Sequence, residues 1–251
     1  MKEISKLASI GCHEPWQALL CLPKGHIDRR GAYAALSRAP RDRVCLLRAR
    51  LVSAVGYDRK DQITKSPYPA YLKVQLAFED ETVYTRFYGR DPDEVIDMIG
   101  KVAVIEAMVD GNERQTFLRG ASLSNVTGRI DPVYVGAQGV VSGEVVESAV
   151  QSALLGGRAL NAATSAIQSC PPVMEVLHQH AIAPLPLLQG LHTPHSLAAA
   201  DLALRVAKEC CINEVKAAAR PSRAQHASPY NLDQALITVV AEQPETLSDS
   251  Q

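Results

Sequence analysis

Tyrosines and cationic residues alternate with apolar residues along two short segments of the chain, and these side chains are the ones best suited to binding chemistry. The residues in phase are Tyr71, Lys73 and Gln75 in one segment and Tyr84, Arg86 and Tyr88 in the next. Because successive side chains of a β-strand point to opposite faces, each set would share one face of a sheet. Bases stack on aromatic rings and cations contact phosphates, so the pattern predicts a surface for single-stranded or frayed nucleic acid.

Further candidate residues lie close to these two segments. Arg48 and Arg50 share one phase of an earlier strand, and five of the eight tyrosines fall within residues 57–88. The complete set of predicted DNA-binding residues is Arg48, Arg50, Tyr57, Arg59, Lys60, Lys65, Tyr68, Tyr71, Lys73, Tyr84, Arg86, Phe87, Tyr88 and Arg90. Tyrosine is also favourable in half-buried strands, and this purely structural explanation is the alternative.

The formal net charge of −1 conceals an asymmetry along the chain. Residues 1–130 carry 20 Lys and Arg against 16 Asp and Glu, whereas residues 131–251 carry 6 against 11. Residues 24–65 carry 11 basic and 4 acidic side chains, which suits contacts with phosphates. A solvated protein surface would give the same local composition, and the whole-chain balance argues against tight, non-specific coating of DNA.

Other chemistries lack their sequence signatures. The chain contains no G-x-x-x-x-G-K-[ST] phosphate loop, no G-x-S-x-G nucleophile motif and no H-E-x-x-H zinc motif. The six cysteines form no C-x-x-C pair, and the histidines lack the partners and spacing of a zinc site. We therefore expect buried free thiols, no metal, no cofactor and no ATP hydrolysis, and no motif points to an enzyme.

Length and hydropathy set the class of the protein. A chain of 251 residues with 47% hydrophobic and 21% charged residues can form one or two packed domains. No segment approaches ~18 consecutive apolar residues, so no membrane span is predicted. No apolar region follows the first six residues, so no secretory signal is predicted and the expected location is the cytoplasm.

The elements that would position the candidate residues follow from hydrophobic periodicity. Five strands are predicted over residues 44–52, 71–78, 82–88, 102–109 and 114–123, with a helix that Asp91 caps and Pro92 begins between the third and fourth. Three strands, a helix and two strands in ~80 residues predict an α+β protein built around a five-stranded OB-fold β-barrel. Such barrels bind nucleic acid on strands 2 and 3 and on the loops predicted here at residues 57–69 and 110–114.

The segments on either side of the predicted barrel read as helical. Short helices are expected over residues 6–23, and longer ones over residues 142–155, 171–180 and 194–219, the last ended by Pro221. The predicted organisation is an N-terminal helical lead-in (1–40), the OB-fold domain (41–130), a helical connector (131–220) and a polar tail (221–251).

Several short motifs resemble those of RecG-type branched-DNA helicases and follow one another in the same order. They are Leu19-Leu20-Cys21-Leu22-Pro23 with Asp28-Arg29-Arg30, the strand Tyr84-Thr85-Arg86-Phe87-Tyr88, the segment Pro132-Val133-Tyr134 with Gly139-Val140, and residues 243–251. Residues 185–219 are similar to the family's helical connector. The resemblance covers the non-motor half of the family, with a longer loop between strands 1 and 2 and with the leucine and phenylalanine of the last motif replaced.

The resemblance implies a wedge domain, which in that family holds forks and Holliday junctions, without the motor that pulls DNA past it. Phe87 and Tyr88 are the implied stacking residues, although strand alternation turns Phe87 inward and Tyr88 outward, so that only one would stack. Phosphate contacts would come from Arg48, Arg50, Arg59, Lys60, Lys65, Lys73 and Arg86. The predicted function is a DNA-binding module for forked or branched DNA in recombination, repair or replication-fork processing.

Two alternatives stay open at this point. The barrel could be a protein–protein adaptor whose acidic helical half binds the partner. The chain could also be a truncated helicase, or one subunit of a split helicase whose motor, or another recombination protein, lies on a separate chain.

Overall fold

The computed structural model describes residues 6–89, 91–112 and 115–225, so the candidate residue Arg90 and the motif at residues 243–251 lie outside the described part of the chain. It confirms an α+β protein with a curled five-stranded antiparallel sheet and several helices. The strands are β1 (Gly25–Asp28), β2 (Val44–Tyr57), β3 (Tyr71–Ala77), β4 (Thr82–Phe87), β5 (Val102–Asn112), β6 (Gln115–Ser124) and β7 (Ile130–Val133). The helices are α1 (Pro15–Ala18), α2 (Pro92–Ile96), α3 (Gly143–Leu155), α4 (Gly157–Gln168), α5 (Pro171–Gln179), α6 (Pro184–His192) and α7 (Leu197–Gln225).

The five predicted strands are all present as β2 to β6. They form one sheet in the order β4-β3-β2-β5-β6. The central strand β2 pairs with β5 along its first half and with β3 along its second half. The sheet therefore curls until the outer strands β4 and β6 contact each other, where the Thr85 hydroxyl donates a hydrogen bond to the Leu118 carbonyl at 3.2 Å.

The inner face of the sheet forms its own hydrophobic core. Leu72, Val74 and Leu76 alternate inward along β3, as the period-2 pattern predicts. The helix α2 closes one end of this core with Val95, and Asp91 caps it by accepting a hydrogen bond from the Asp93 N–H at 3.0 Å. The apolar spacing of residues 95–99 predicts a helix as far as Gly100, whereas α2 ends at Ile96.

A second core joins the chain's beginning to the helices. Leu7 and Leu19 pack in one cluster with apolar residues of α3 to α7, among them Val150 and Leu188. The predicted N-terminal helices are reduced to a 3-10 turn at Ala8–Ile10 and the single turn of α1. These residues are buried because they pack against the helices α3 to α7, and such tertiary packing cannot be predicted from local helix propensity.

Three further features depart from the sequence-based expectations. The strands β1 and β7 pair as an antiparallel ribbon, with Ile27 opposite Asp131, where a helical lead-in and a helical connector were predicted. The helices α4 and α6 were not predicted. The last helix begins at Leu197 and continues to Gln225, past Pro221, which was predicted to end it.

None of the described helices is both long enough and apolar enough to cross a membrane.

Candidate nucleic-acid interface

A β-bulge in β2 sets which side chains reach the outer face of the sheet. The register shifts between Leu51 and Ser53, which makes Val52 the extra residue. The inserted residue reverses the inward and outward alternation of the side chains that follow it in β2. Tyr57 therefore lies on the outer face, where it pairs directly with Tyr71 of β3. The predicted loop residue Tyr57 is therefore a strand residue.

The ring of Tyr71 is packed between side chains from both neighbouring strands. The Tyr57 ring of β2 lies parallel to it, with centroids 5.2 Å apart, and the Arg86 guanidinium of β4 lies 4.5 Å from its centroid. Its hydroxyl donates a hydrogen bond to Asp61 Oδ1 at 2.8 Å. Burial raises the pKa of the Tyr71 hydroxyl, and the bond to Asp61 adds to that rise. With 7% of its surface exposed, Tyr71 supports its neighbours and offers no free face to a base.

The exposed members of the cluster lie on β3, on β4 and at Tyr88, the first residue after β4. Lys73 is paired with Arg86 across the two strands, and its Nζ lies 5.4 Å from the Tyr84 ring centroid. Tyr84 is 58% exposed and Tyr88 is 61% exposed. The Tyr88 ring is tilted by 46° against Tyr71 with centroids 5.8 Å apart. A hydrogen bond with Tyr88 raises the pKa of the Arg86 guanidinium.

Six of these side chains contact one another and are called the tyrosine patch below. The tyrosine patch consists of Tyr57, Tyr71, Lys73, Tyr84, Arg86 and Tyr88. A shallow pocket of about 310 Å³ opens in the patch, and Asp61 also lines it. Exposed rings beside cationic groups can stack on bases and contact phosphates, which is the arrangement that single-strand binding requires.

Arg48 and Arg50 share the outer face but lie away from the patch. They precede the bulge in the part of β2 that pairs with β5. Arg50 pairs with Ala77, four residues along β3 from Lys73, which corresponds to about 13 Å at the usual strand rise. The sequence placed them on the correct face, and the pairing register of β2 with β3 places them away from the tyrosines.

The loop between β2 and β3 carries the other predicted contacts. Arg59, Lys60, Lys65 and Tyr68 are all exposed there. Asp58 stabilises the first turn of the loop, because its carboxylate accepts hydrogen bonds from the N–H groups of Lys60 at 2.8 Å and Gln62 at 2.9 Å. These cations are free to contact a ligand that lies over the patch.

Phe87 does not belong to the surface. Only 1% of its side chain is exposed, since it points into the core of the sheet opposite Leu72. The prediction that Phe87 stacks on DNA is therefore wrong, and the strand alternation that turned it inward is correct. Tyr88 is the accessible ring of this pair.

Asp61 was not among the predicted residues, and its carboxylate places a negative charge in the pocket lining. Asp61 has a φ of 57°, a left-handed conformation that Asp tolerates better than most residues. Its backbone N–H donates a hydrogen bond to the Asp58 carbonyl at 3.2 Å. In the sequence, Asp58 and Asp61 are visible only as two of the four acidic residues in the basic segment 24–65.

The thiols show no sign of reactivity. All six cysteines are free, and Cys12, Cys45 and Cys210 are buried as expected. Burial raises the pKa of Cys45 and of Cys210 to about 11. Burial, together with the neighbouring Cys12 thiol at 3.8 Å, raises the pKa of Cys21 to about 12. Thiols with such values stay protonated near neutral pH, and protonated thiols are poor nucleophiles.

Metal binding finds no support within the described ranges, where no three His, Cys, Asp or Glu side chains are grouped as metal ligands would be. Comparison with known proteins gives no match among family models, curated proteins or solved structures.

Proposed function

We propose that the protein is a DNA-binding module for forked or branched DNA that uses the tyrosine patch and has no ATPase motor. The observation that carries the proposal is the placement of the exposed Tyr84 and Tyr88 rings beside Lys73 and Arg86 on one face of the sheet. A base stacked on an aromatic ring contributes about 1–3 kcal/mol, and the cations would contact the adjoining phosphates.

The curled sheet supports a specific fold in this proposal, the OB-fold barrel. Its strand order corresponds to 3-2-1-4-5 when β2 is counted as the first strand, with a helix, α2, between the third and fourth. The contact between β4 and β6 brings the third and fifth strands together, as a partly open barrel requires. The tyrosine patch lies on the second and third strands and beside the loop joining the first two, which is the surface that OB-folds use for nucleic acid.

Two of the segments that resemble RecG-type motifs, around Asp28 and around Pro132, lie next to each other in the structure, which supports the proposal. The β1–β7 ribbon pairs Asp28 with Ile130 and His26 with Pro132. Arg29, which follows β1, forms ion pairs with Glu106 of β5 and with Asp131 of β7. An arginine shared by the sheet and the ribbon would hold the barrel in a set orientation relative to the helices, which a wedge between DNA arms needs.

A buried imidazole links two other motif segments. His192 Nε2 donates to the Leu19 carbonyl at 2.8 Å, and its Nδ1 accepts a hydrogen bond from the Tyr134 hydroxyl at 2.6 Å. The carbonyl can only accept, so the hydrogen of the neutral ring must be on Nε2. The bonds tie the N-terminal segment, the ribbon and α6 into one unit beneath the proposed wedge.

Fork preference is the direct test. Fluorescence anisotropy would compare a labelled fork, a duplex of the same length and a single strand at one stated salt concentration. We expect the fork to bind more tightly than the duplex, because only frayed or single-stranded arms offer bases to the exposed rings. Equal affinity for fork and duplex would refute branch selectivity, and binding of none of them would refute the proposal as a whole.

A protein adaptor is the second candidate, favoured by exposed apolar residues on the helical half. Ile212 and Val215 stand exposed on α7 at helical spacing. The double variant Arg86→Ala, Tyr88→Ala separates the candidates. If wild-type protein binds no DNA while a protein partner is retained by the double variant, the adaptor is correct. ATP hydrolysis by the purified chain would contradict both candidates.

A further inference from the structure

The carboxylate of Asp61 lies in a pocket that also carries two cationic side chains, Lys73 and Arg86. Asp61 lines the pocket of the tyrosine patch together with Lys73, Tyr84 and Arg86. Its charge repels phosphate, so contact with the DNA backbone does not account for it. Its left-handed backbone is held by the Asp58 carbonyl and its side chain by the Tyr71 hydroxyl, so the carboxylate is fixed in place.

A fixed carboxylate selects a ligand by its hydrogen-bond donors. An ionised carboxylate accepts hydrogen bonds at two oxygens and donates none. Among the bases, guanine presents two adjacent donors on its Watson–Crick edge, N1–H and N2–H₂. Adenine and cytosine present an amino group beside an acceptor, and thymine presents one N–H between two carbonyls. Unpaired bases expose this edge to proteins.

The rest of the pocket complements the opposite side of the same base. The O6 and N7 atoms of guanine are acceptors, and arginine and lysine are the side chains that most often contact them. Lys73 and Arg86 pair across β3 and β4 and both line the pocket, so one of them can contact O6 and N7 while the other contacts a neighbouring phosphate. The Tyr84 ring, which is largely exposed, provides the stacking surface.

We infer that the pocket binds an unpaired guanine of the bound strand, with the Asp61 carboxylate accepting hydrogen bonds from N1–H and N2–H. The inference rests on the proposed function and adds base selectivity to it. Charge-assisted hydrogen bonds are about twice as strong as neutral ones, so a paired carboxylate contact should discriminate among bases despite its repulsion of phosphates.

The test uses forks that differ at one position of the single-stranded arm. One arm is all thymine, a second carries a single guanine and a third carries hypoxanthine, which keeps N1–H and lacks the 2-amino group. We expect the guanine arm to bind about tenfold more tightly than the thymine arm, with hypoxanthine between them. Equal binding of guanine and hypoxanthine would overturn the two-donor contact.

Asp61→Asn is the informative variant. An asparagine keeps an acceptor for the Tyr71 hydroxyl and tolerates the left-handed backbone, so the loop should fold as before. It should lose the guanine preference while binding the thymine arm at least as well as wild type, because a negative charge has been removed. Glu94→Gln, on the exposed face of α2, removes a charge outside the pocket and should leave the preference intact.

The possible outcomes distinguish a failure of the guanine assignment from a failure of the proposed fork binding. If wild-type protein binds guanine and thymine forks equally, or if Asp61→Asn keeps the preference, the guanine assignment is overturned and fork binding stands. If wild-type protein binds neither fork, the proposed function itself fails. Displacement of the guanine fork by micromolar deoxyguanosine monophosphate would reassign the pocket to a free nucleotide and overturn the inference.

Discussion

The rings of Tyr57 and Tyr71 lie parallel to within 2°, with their centroids 5.2 Å apart, and this contact organises the tyrosine patch. It exists because the bulge at Val52 brings Tyr57 back to the outer face of β2. Tyr71 then holds Arg86 over its ring and Asp61 at its hydroxyl. One packed pair thus positions a cation of β4 and a carboxylate of the β2–β3 loop in the same pocket.

Removal of the Tyr57 ring tests this supporting role. Tyr57→Ala should lower the free energy of unfolding by about 1–2 kcal/mol, because an aromatic pair contributes about 0.5–1.5 kcal/mol beyond the area it buries. Tyr57→Phe keeps the ring and should behave like wild type. Urea unfolding followed by circular dichroism measures the stability of both variants. If Tyr57→Ala were as stable as wild type, the stacked pair would not contribute to the stability of the sheet.

The two exposed rings should carry stacking energy. Tyr84→Ala and Tyr88→Ala are each expected to weaken fork binding by about 5-fold to 100-fold, the equivalent of one lost base stack. Phe117→Ala removes an exposed ring on β6 outside the patch and is the matched control. Anisotropy titrations at constant salt measure the effect. The patch would be excluded as the interface if Phe117→Ala weakened binding as much as the two tyrosine variants.

The patch cations should determine the salt dependence of binding. Each phosphate contact contributes about one unit or less to the slope of log affinity against log salt concentration. Of Lys73→Ala and Arg86→Ala, the variant that removes the phosphate-contacting cation should reduce the slope by about that amount. Lys208→Ala removes an exposed lysine of α7 and should leave the slope unchanged. Unchanged slopes in both patch variants would mean that these cations do not contact phosphate.

Phe87 offers a contrast between stability and binding. Because the side chain is buried in the sheet core, Phe87→Ala should cost about 3–5 kcal/mol of unfolding free energy. Phe87→Leu keeps most of the apolar volume and should bind forks as tightly as wild type at a temperature where it is folded. A folded Phe87→Leu variant with reduced fork affinity would reinstate Phe87 as a DNA contact.

The buried His192 predicts how stability depends on pH. Burial lowers the pKa of His192 to about 4, below the value of about 6.5 of an unfolded chain. The unfolded state therefore binds more protons between these values, and the free energy of unfolding decreases as pH falls. At pH 4 this group alone accounts for a loss on the order of 3 kcal/mol relative to pH 7.

A variant without this imidazole isolates the effect. His192→Gln retains polar atoms for the Tyr134 hydroxyl and the Leu19 carbonyl but does not titrate, so it should show a flatter pH dependence between pH 6.5 and 4. Urea unfolding at several pH values gives the comparison. His195→Gln, at the more exposed neighbouring histidine, serves as the control. Identical pH profiles for wild type and His192→Gln would contradict the assignment.

Much of the barrel-like sheet could be predicted because its signals are local. The alternation in residues 71–77 and 82–87 depends only on the period of a strand, and it correctly placed Lys73, Tyr84, Arg86 and Tyr88 outside and Phe87 inside. The helices α4 and α6 and the β1–β7 ribbon escaped prediction, since their stability comes from partners far along the chain.

The amino-acid sequence by itself determined the five strands, their order along the chain and the face on which each side chain of β3 and β4 lies. Only the tertiary structure decided which outward residues form a site. The bulge at Val52 brought Tyr57 to Tyr71, the strand register left Arg48 and Arg50 away from the tyrosines, and the turn after Asp58 put Asp61 into the pocket. Each of these depends on pairing and packing between segments that are distant in sequence, which a local pattern does not encode.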